Sequence, residues 1–106
     1  MYMIAFMFRP GEYDDDFHQL DDQIQAAALD ADGYVGQEMW VSPDGATRNA
    51  VYYWNTMADL RKFADVAVHR TAKAQCRRWY HGYHIVVAEI TETYGDGRLP
   101  HVTRRR

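Results

Sequence analysis

The side chains with the most chemistry in this chain gather in one stretch, His69-Arg70-Thr71-Ala72-Lys73-Ala74-Gln75-Cys76. On a helix, His69, Lys73 and Cys76 fall at steps of four and three, so an imidazole, an ammonium and a thiol share one face. A neutral imidazole can ligate heme iron. It can also accept a proton from a phenolic substrate, so that the resulting carbanion reacts with dioxygen. The plainer reading gives His69 a capping or pairing role, with Asp65 or Glu89 as its partner. Cys76 stands beside Arg77 and Arg78 without a partner base and reads as a buried, inert thiol.

Other clusters carry less. His81, His84 and His101 suggest a metal by type, but His81-Gly82-Tyr83-His84 reads as a turn with no carboxylate in register, so no metal site is assigned. Asp14, Asp15 and Asp16 diverge in direction on a helix and suit its positive end instead. There is no Gly-rich phosphate loop, nucleophile elbow or paired CxxC, which disfavours nicotinamide and flavin cofactors and covalent hydrolysis. A net charge of -3 gives no field for nucleic acid, and Arg104-Arg105-Arg106 reads as a solvated terminus. One cysteine cannot form an internal disulfide, which fits a reducing cytoplasm. No apolar run approaches the roughly 18 residues that cross a bilayer, and Met1 to Phe8 reads as a strand and not as a signal peptide.

The elements that must position these groups follow from periodicity. At 106 residues the chain is one domain, with an ordered core over about 2–95 and a tail over 96–106. Tyr2 to Arg9 is apolar at both parities, so it should be a central strand covered on both faces. Glu12 to Ala31 carries a helical stripe of Tyr13, Phe17, Leu20, Ile24, Ala27 and Ala28. Tyr34–Ser42 and Ala50–Asn55 form a hairpin around Pro43-Asp44-Gly45. Thr56 to Asp59 opens a second helix with a capping box, expected to bend near Asp65 to Val68 before a His69 helix. Trp79 to Tyr83 makes an aromatic corner, and Ile85 to Tyr94 is the last strand. The order β-α-β-β-α-β is the ferredoxin-like α+β plan, a four-stranded antiparallel sheet with helices on one face. The second apolar face of the first strand, with Met39, Trp40 and the Val51 to Trp54 aromatics, then needs a cover, and a second copy of the chain supplies one.

In this order, Gly33-Tyr34-Val35-Gly36, Glu38, Trp40, Tyr53-Trp54, His69-Arg70, Ala72-Lys73, Trp79, Tyr83, Glu89 and Tyr94-Gly95 resemble the antibiotic biosynthesis monooxygenase superfamily. Over about residues 2–95 the chain is most similar to its small heme-degrading-monooxygenase-like members. The resemblance implies a dimeric α+β barrel with a pocket between sheet and helices. The family includes cofactor-free oxygenases of aromatic polyketides, heme-cleaving enzymes and proteins with no known activity. Of the residues that heme-cleaving members use, the Asn position falls near Ile4, the Trp position is best matched by Phe63, and His69 is the histidine available.

The expectation is therefore a homodimeric monooxygenase acting on an aromatic, polyketide-like metabolite or on heme, with His69 as base or ligand. Phe6, Tyr53, Trp54, Phe63, Lys73 and Trp79 would form the pocket, and no cofactor beyond heme, as ligand or substrate, would be required. Tyr53 and Trp54 have opposite strand parity, so only one of them faces the helices. The alternatives are a protein that binds heme or an aromatic metabolite without turnover, and a cyclase or isomerase on the same fold.

Overall fold

The computed structural model describes residues 1–71 and 76–103, and of residues 66–71 and 76–77 it describes the main chain only. The element order is β1 (Tyr2–Pro10), α1 (Asp15–Asp30), β2 (Tyr34–Val41), β3 (Arg48–Trp54), α2 (Met57–Thr71), α3 (Cys76–Trp79) and β4 (Tyr80–Glu89). The strands form one antiparallel sheet in the order β2-β3-β1-β4, which is the expected ferredoxin-like α+β plan. Apolar at both parities, β1 takes an interior position, between β3 and β4.

Local chemistry sets the element ends. Asp14 caps α1 by accepting a hydrogen bond from the Phe17 amide at 2.9 Å. Thr56 caps α2: its hydroxyl accepts from the Asp59 amide at 3.1 Å and donates to the Asp59 carboxylate at 2.8 Å. In the β2–β3 turn the Asp44 carboxylate accepts from the Ser42 hydroxyl at 2.6 Å and the Ala46 amide at 3.0 Å.

Two boundaries differ from the expectation. Helix α2 runs unbroken from Met57 to Thr71, through the stretch where a bend was expected. Strand β4 begins at Tyr80 and ends at Glu89, five residues ahead of the expected Ile85 to Tyr94 at each end. The reason is pairing: Gly82, Tyr83 and His84 lie opposite Arg9, Phe8 and Met7, with a register shift at Arg9/Pro10. The His81 to His84 stretch is thus strand and not turn.

Cross-strand partners share a sheet face. On the helix side Ile4, Phe8, Ala50, Tyr52 and Trp54 pack with Ala28, Leu60 and Phe63 into the larger core cluster. On the other side Ala5, Val51 and Tyr53 form a smaller cluster with Met1, Met3, Val35, Ile90 and Val102. Part of the cover on this second face is the chain's own C-terminal segment, which was expected to trail free. Val102 packs over Gly36, where an added Cβ would stand 2.9 Å from a Val102 methyl, and Thr103 is buried. Trp40 and Val86, farther along the same face, remain exposed. No helix among the described residues is long and apolar enough to cross a membrane.

Docking of the C-terminal segment depends on the missing side chain at Gly36. Overpacking of this kind costs roughly 1–3 kcal/mol. Gly36→Ala should therefore speed amide hydrogen exchange at Val102 and Thr103 about tenfold or more. Unchanged exchange at both amides would show that the segment does not rest on Gly36.

Candidate functional site

Helix α1 lies over the sheet with Phe17, Leu20, Asp21 and Ile24 turned toward Trp79 and Tyr80, and these six residues line a shallow, solvent-open cleft with ≈ 10 Å³ of free space, about one water's worth. Aromatic rings build its floor and end. Phe6 and Phe8 stack at 5.2 Å, Tyr80 meets both edge-on at 5.4 and 5.3 Å, and Phe17 meets Trp79 at 5.4 Å. Tyr13 stacks on Phe17 at 4.0 Å and closes the N-terminal end of α1.

One carboxylate joins the two walls. Besides capping α1, Asp14 accepts from the Trp79 indole N–H at 3.2 Å and pairs with the Arg78 guanidinium. The main chain repeats the link: the Gly11 and Glu12 amides donate to the carbonyls of Trp79 and Arg78 at 2.6 and 2.8 Å. A Cβ on Gly11 would come within 2.9 Å of the Trp79 carbonyl group, so the close approach requires glycine. The Phe17 amide, with Arg78 and the Trp79 indole behind it, holds the Asp14 carboxyl below its ordinary 3.8.

Asp21 behaves in the opposite way. It sits one turn after Phe17 and one turn before Gln25, on the buried stripe of the helix. Burial pushes its carboxyl above 3.8 and the neighbouring Asp22 charge adds to the rise, opposed by a hydrogen bond from Gln25 and by His18. Gln25 also donates to the Tyr52 hydroxyl at 3.0 Å, which ties the carboxylate to the sheet. Burial raises the Tyr52 phenol as well. The cleft thus offers aromatic walls, a half-buried hydrogen-bond acceptor and a buried phenol behind it.

The residues singled out from sequence do not all meet here. Trp79 forms one wall of the cleft, and Phe6 supports Tyr80 from below. Phe63 and Trp54 lie on the same side of the sheet but in the core toward α2, with rings 5.1 Å apart. Trp54 is fully buried, and its indole N–H has no partner among the described residues. Tyr53 points to the other face, as its parity requires once Trp54 faces the helices. There its hydroxyl donates to Glu38 at 2.5 Å, and burial followed by that bond raises its pKa. His101 joins the same carboxylate at 3.1 Å, while its Nδ1 accepts from the Thr103 amide at 3.1 Å. This network fastens the C-terminal segment to the second face. The side chains of His69 and Lys73 lie outside the described residues.

Phe17, Leu20, Asp21, Ile24 and Tyr80 were not among the site residues expected from sequence. A usable signal was present: Asp21 interrupts the apolar stripe of Phe17, Leu20 and Ile24, where a carboxylate needs a reason to be.

No family model and no curated protein matches the chain. Solved structures do. A variant of SnoaB, a cofactor-independent oxygenase from Streptomyces nogalater, superposes with a TM-score of 0.64 at 14% identity, covering 87% of this chain and 94% of its own. A Deinococcus radiodurans protein named for antibiotic biosynthesis monooxygenases reaches 0.66 at 13% identity, covering 90% and 97%. A variant of MhuD with two manganese protoporphyrin IX bound per active site reaches 0.58 at 12% identity, covering 90% and 99%. The chain therefore shares the ferredoxin-like α+β fold of these proteins.

The two carboxylates of α1 should leave opposite marks on stability. Asp14 titrates low in the folded state, so its contribution is present above 3.8 and is lost as pH falls through its depressed folded value. Asp21 titrates high, so its ionisation costs stability as pH rises from 3.8 through its raised value. Urea unfolding at pH 7 should find the Asp21→Asn protein more stable than the parent and the Asp14→Ala protein less stable. The Asp21→Asn gain should vanish below pH 3.8. A loss at pH 7 on Asp21→Asn would contradict the raised carboxyl.

Proposed function

We propose that this chain is a small monooxygenase of the antibiotic biosynthesis type, acting on an aromatic, polyketide-like metabolite in the cleft under α1. The observation that carries this reading is the cluster of rings between α1 and the sheet, with Phe17, Trp79 and Tyr80 set over Phe6 and Phe8 around a shallow cleft. Rings of this kind stack planar ligands. Oxygenation without a bound cofactor needs little else: a base removes a proton, and the resulting carbanion reduces dioxygen. A ring methylene becomes a carbonyl, with one oxygen atom entering the product and the other leaving as water. His69 is the proposed base, with Lys73 as a proposed pocket residue. The chain acts as a homodimer, because Trp40 and Val86 leave an apolar strip on the second face beside the docked C-terminal segment.

Heme is the competing ligand, and the described cleft fits it poorly. Its free space of ≈ 10 Å³ holds about one water, far below the roughly 300–1,000 Å³ of ordinary ligand sites. No His, Cys or Met is among the six lining residues.

Titrating the purified protein with hemin separates the readings. The aromatic reading predicts no Soret shift. A shift that persists under reductant in air would move the assignment to heme binding, and bleaching to a bilin-like spectrum would move it to heme cleavage. In either heme case His69→Ala should abolish the effect if His69 is the ligand.

A further inference from the structure

The face of the sheet turned away from the helices has two levels. Its cross-strand rows run, in order, Gly36–Tyr53–Met3–Ala88, Glu38–Val51–Ala5–Val86 and Trp40–Asn49–Met7–His84. The C-terminal segment rests on the first row and reaches the second: Val102 packs over Gly36, and His101 joins Glu38 beside Tyr53. That end of the face stands one chain layer higher. At the low end Trp40 is 61% exposed and Val86 is open beside it. On the segment itself Leu99 is 74% exposed, two residues before His101. Apolar surface is therefore left both on the low end and on the segment that makes the high end.

Area decides how a second copy can use this face. Strands stand ~4.8 Å apart and rows on one face ~6.7 Å apart, so the uncovered half measures roughly 19 by 13 Å, about 250 Å². Even about doubled for the relief of the side chains, it falls short of the roughly 800 Å² that each partner gives to a stable interface. The outer side of the C-terminal segment must supply the rest. A two-fold contact sets the same face of each copy against the other. With the axis along the strands, high end meets high end and the low ends are held apart. With the axis across the strands, the high end of each copy lies over the low end of the other, and the two steps close.

We propose that the docked C-terminal segment is the surface each protomer offers to a second copy, seated on the low end of the other sheet with Leu99 against the partner's Trp40. This rests on the homodimer reading, and it adds which residues meet and which way the copies run. The segment is fastened within its own chain by Gly36 and the Tyr53–Glu38–His101 network, and each copy completes the cover of the other.

Sedimentation of the full chain at neutral pH tests the contact. The parent should sediment as a dimer, and Trp40→Ser and Leu99→Ser should each raise the dissociation constant about tenfold or more. Leu29→Ser, an equally exposed site on α1, should leave it within about twofold. Cross-linking tests the direction. Leu99→Cys and Trp40→Cys proteins, each also carrying Cys76→Ser, should form a disulfide-linked heterodimer when mixed under mild oxidation, and neither should link to itself. A dimer indifferent to both serine substitutions, or one in which the Leu99→Cys protein links to itself, overturns the proposal while the homodimer reading stands. A monomeric parent overturns both.

Discussion

The structure on the functional side depends on the Asp14 carboxylate. It caps helix α1 by accepting from the Phe17 amide, and it fixes the Trp79 indole and the Arg78 guanidinium to that same helix start. These partners come from opposite ends of the chain, 65 residues apart for the indole. One acidic group therefore sets the distance between α1 and the entrance to β4. That distance is the width of the cleft. Gly11 contributes the closest main-chain approach, since any side chain there would push Trp79 outward. The charge that suits a helix start by its dipole thus also sets the geometry of a candidate ligand site.

The same helix carries a second carboxylate in a contrary setting. Asp14 is stabilised as an anion by donors, whereas Asp21 is penalised by burial. Groups held against their folding interest concentrate at functional sites, because the stability lost there is recovered as selectivity or chemistry. On the far side of the sheet, the Tyr53–Glu38–His101 network has its donors and acceptors matched among themselves. It fits the fastening of a segment better than the capture of a ligand. The two polar clusters of this small domain thus divide by face: an open acceptor among the helices, a closed network under the C-terminal segment.

Much of the fold was legible in the sequence because it rests on local or strongly patterned signals. The double apolar parity of Tyr2 to Arg9 marked an interior strand, Thr56 and Asp59 marked a helix start, and Pro43-Asp44-Gly45 marked the hairpin. What was misread depends on pairing between distant residues. Gly82 among histidines looks like a turn until Arg9 supplies a strand partner. Residues 96–103 look like a free tail until Gly36 provides room for Val102. The site was harder to read for a different reason. An apolar stripe is found by counting apolar residues, so a carboxylate within it, Asp21, does not register. Parity did establish that Tyr53 and Trp54 part company, but only tertiary packing decides which one the helices receive.

The central claim is that ligands enter between α1 and the Trp79–Tyr80 corner, and the location of a bound aromatic ring tests it most directly. With methyl-labelled protein and saturating 2-naphthol, intermolecular nuclear Overhauser effects should run from the ring protons to the methyl groups of Leu20 and Ile24. Effects running instead to the Met3, Val35 or Val86 methyls would place the ligand on the opposite face of the sheet and contradict the account.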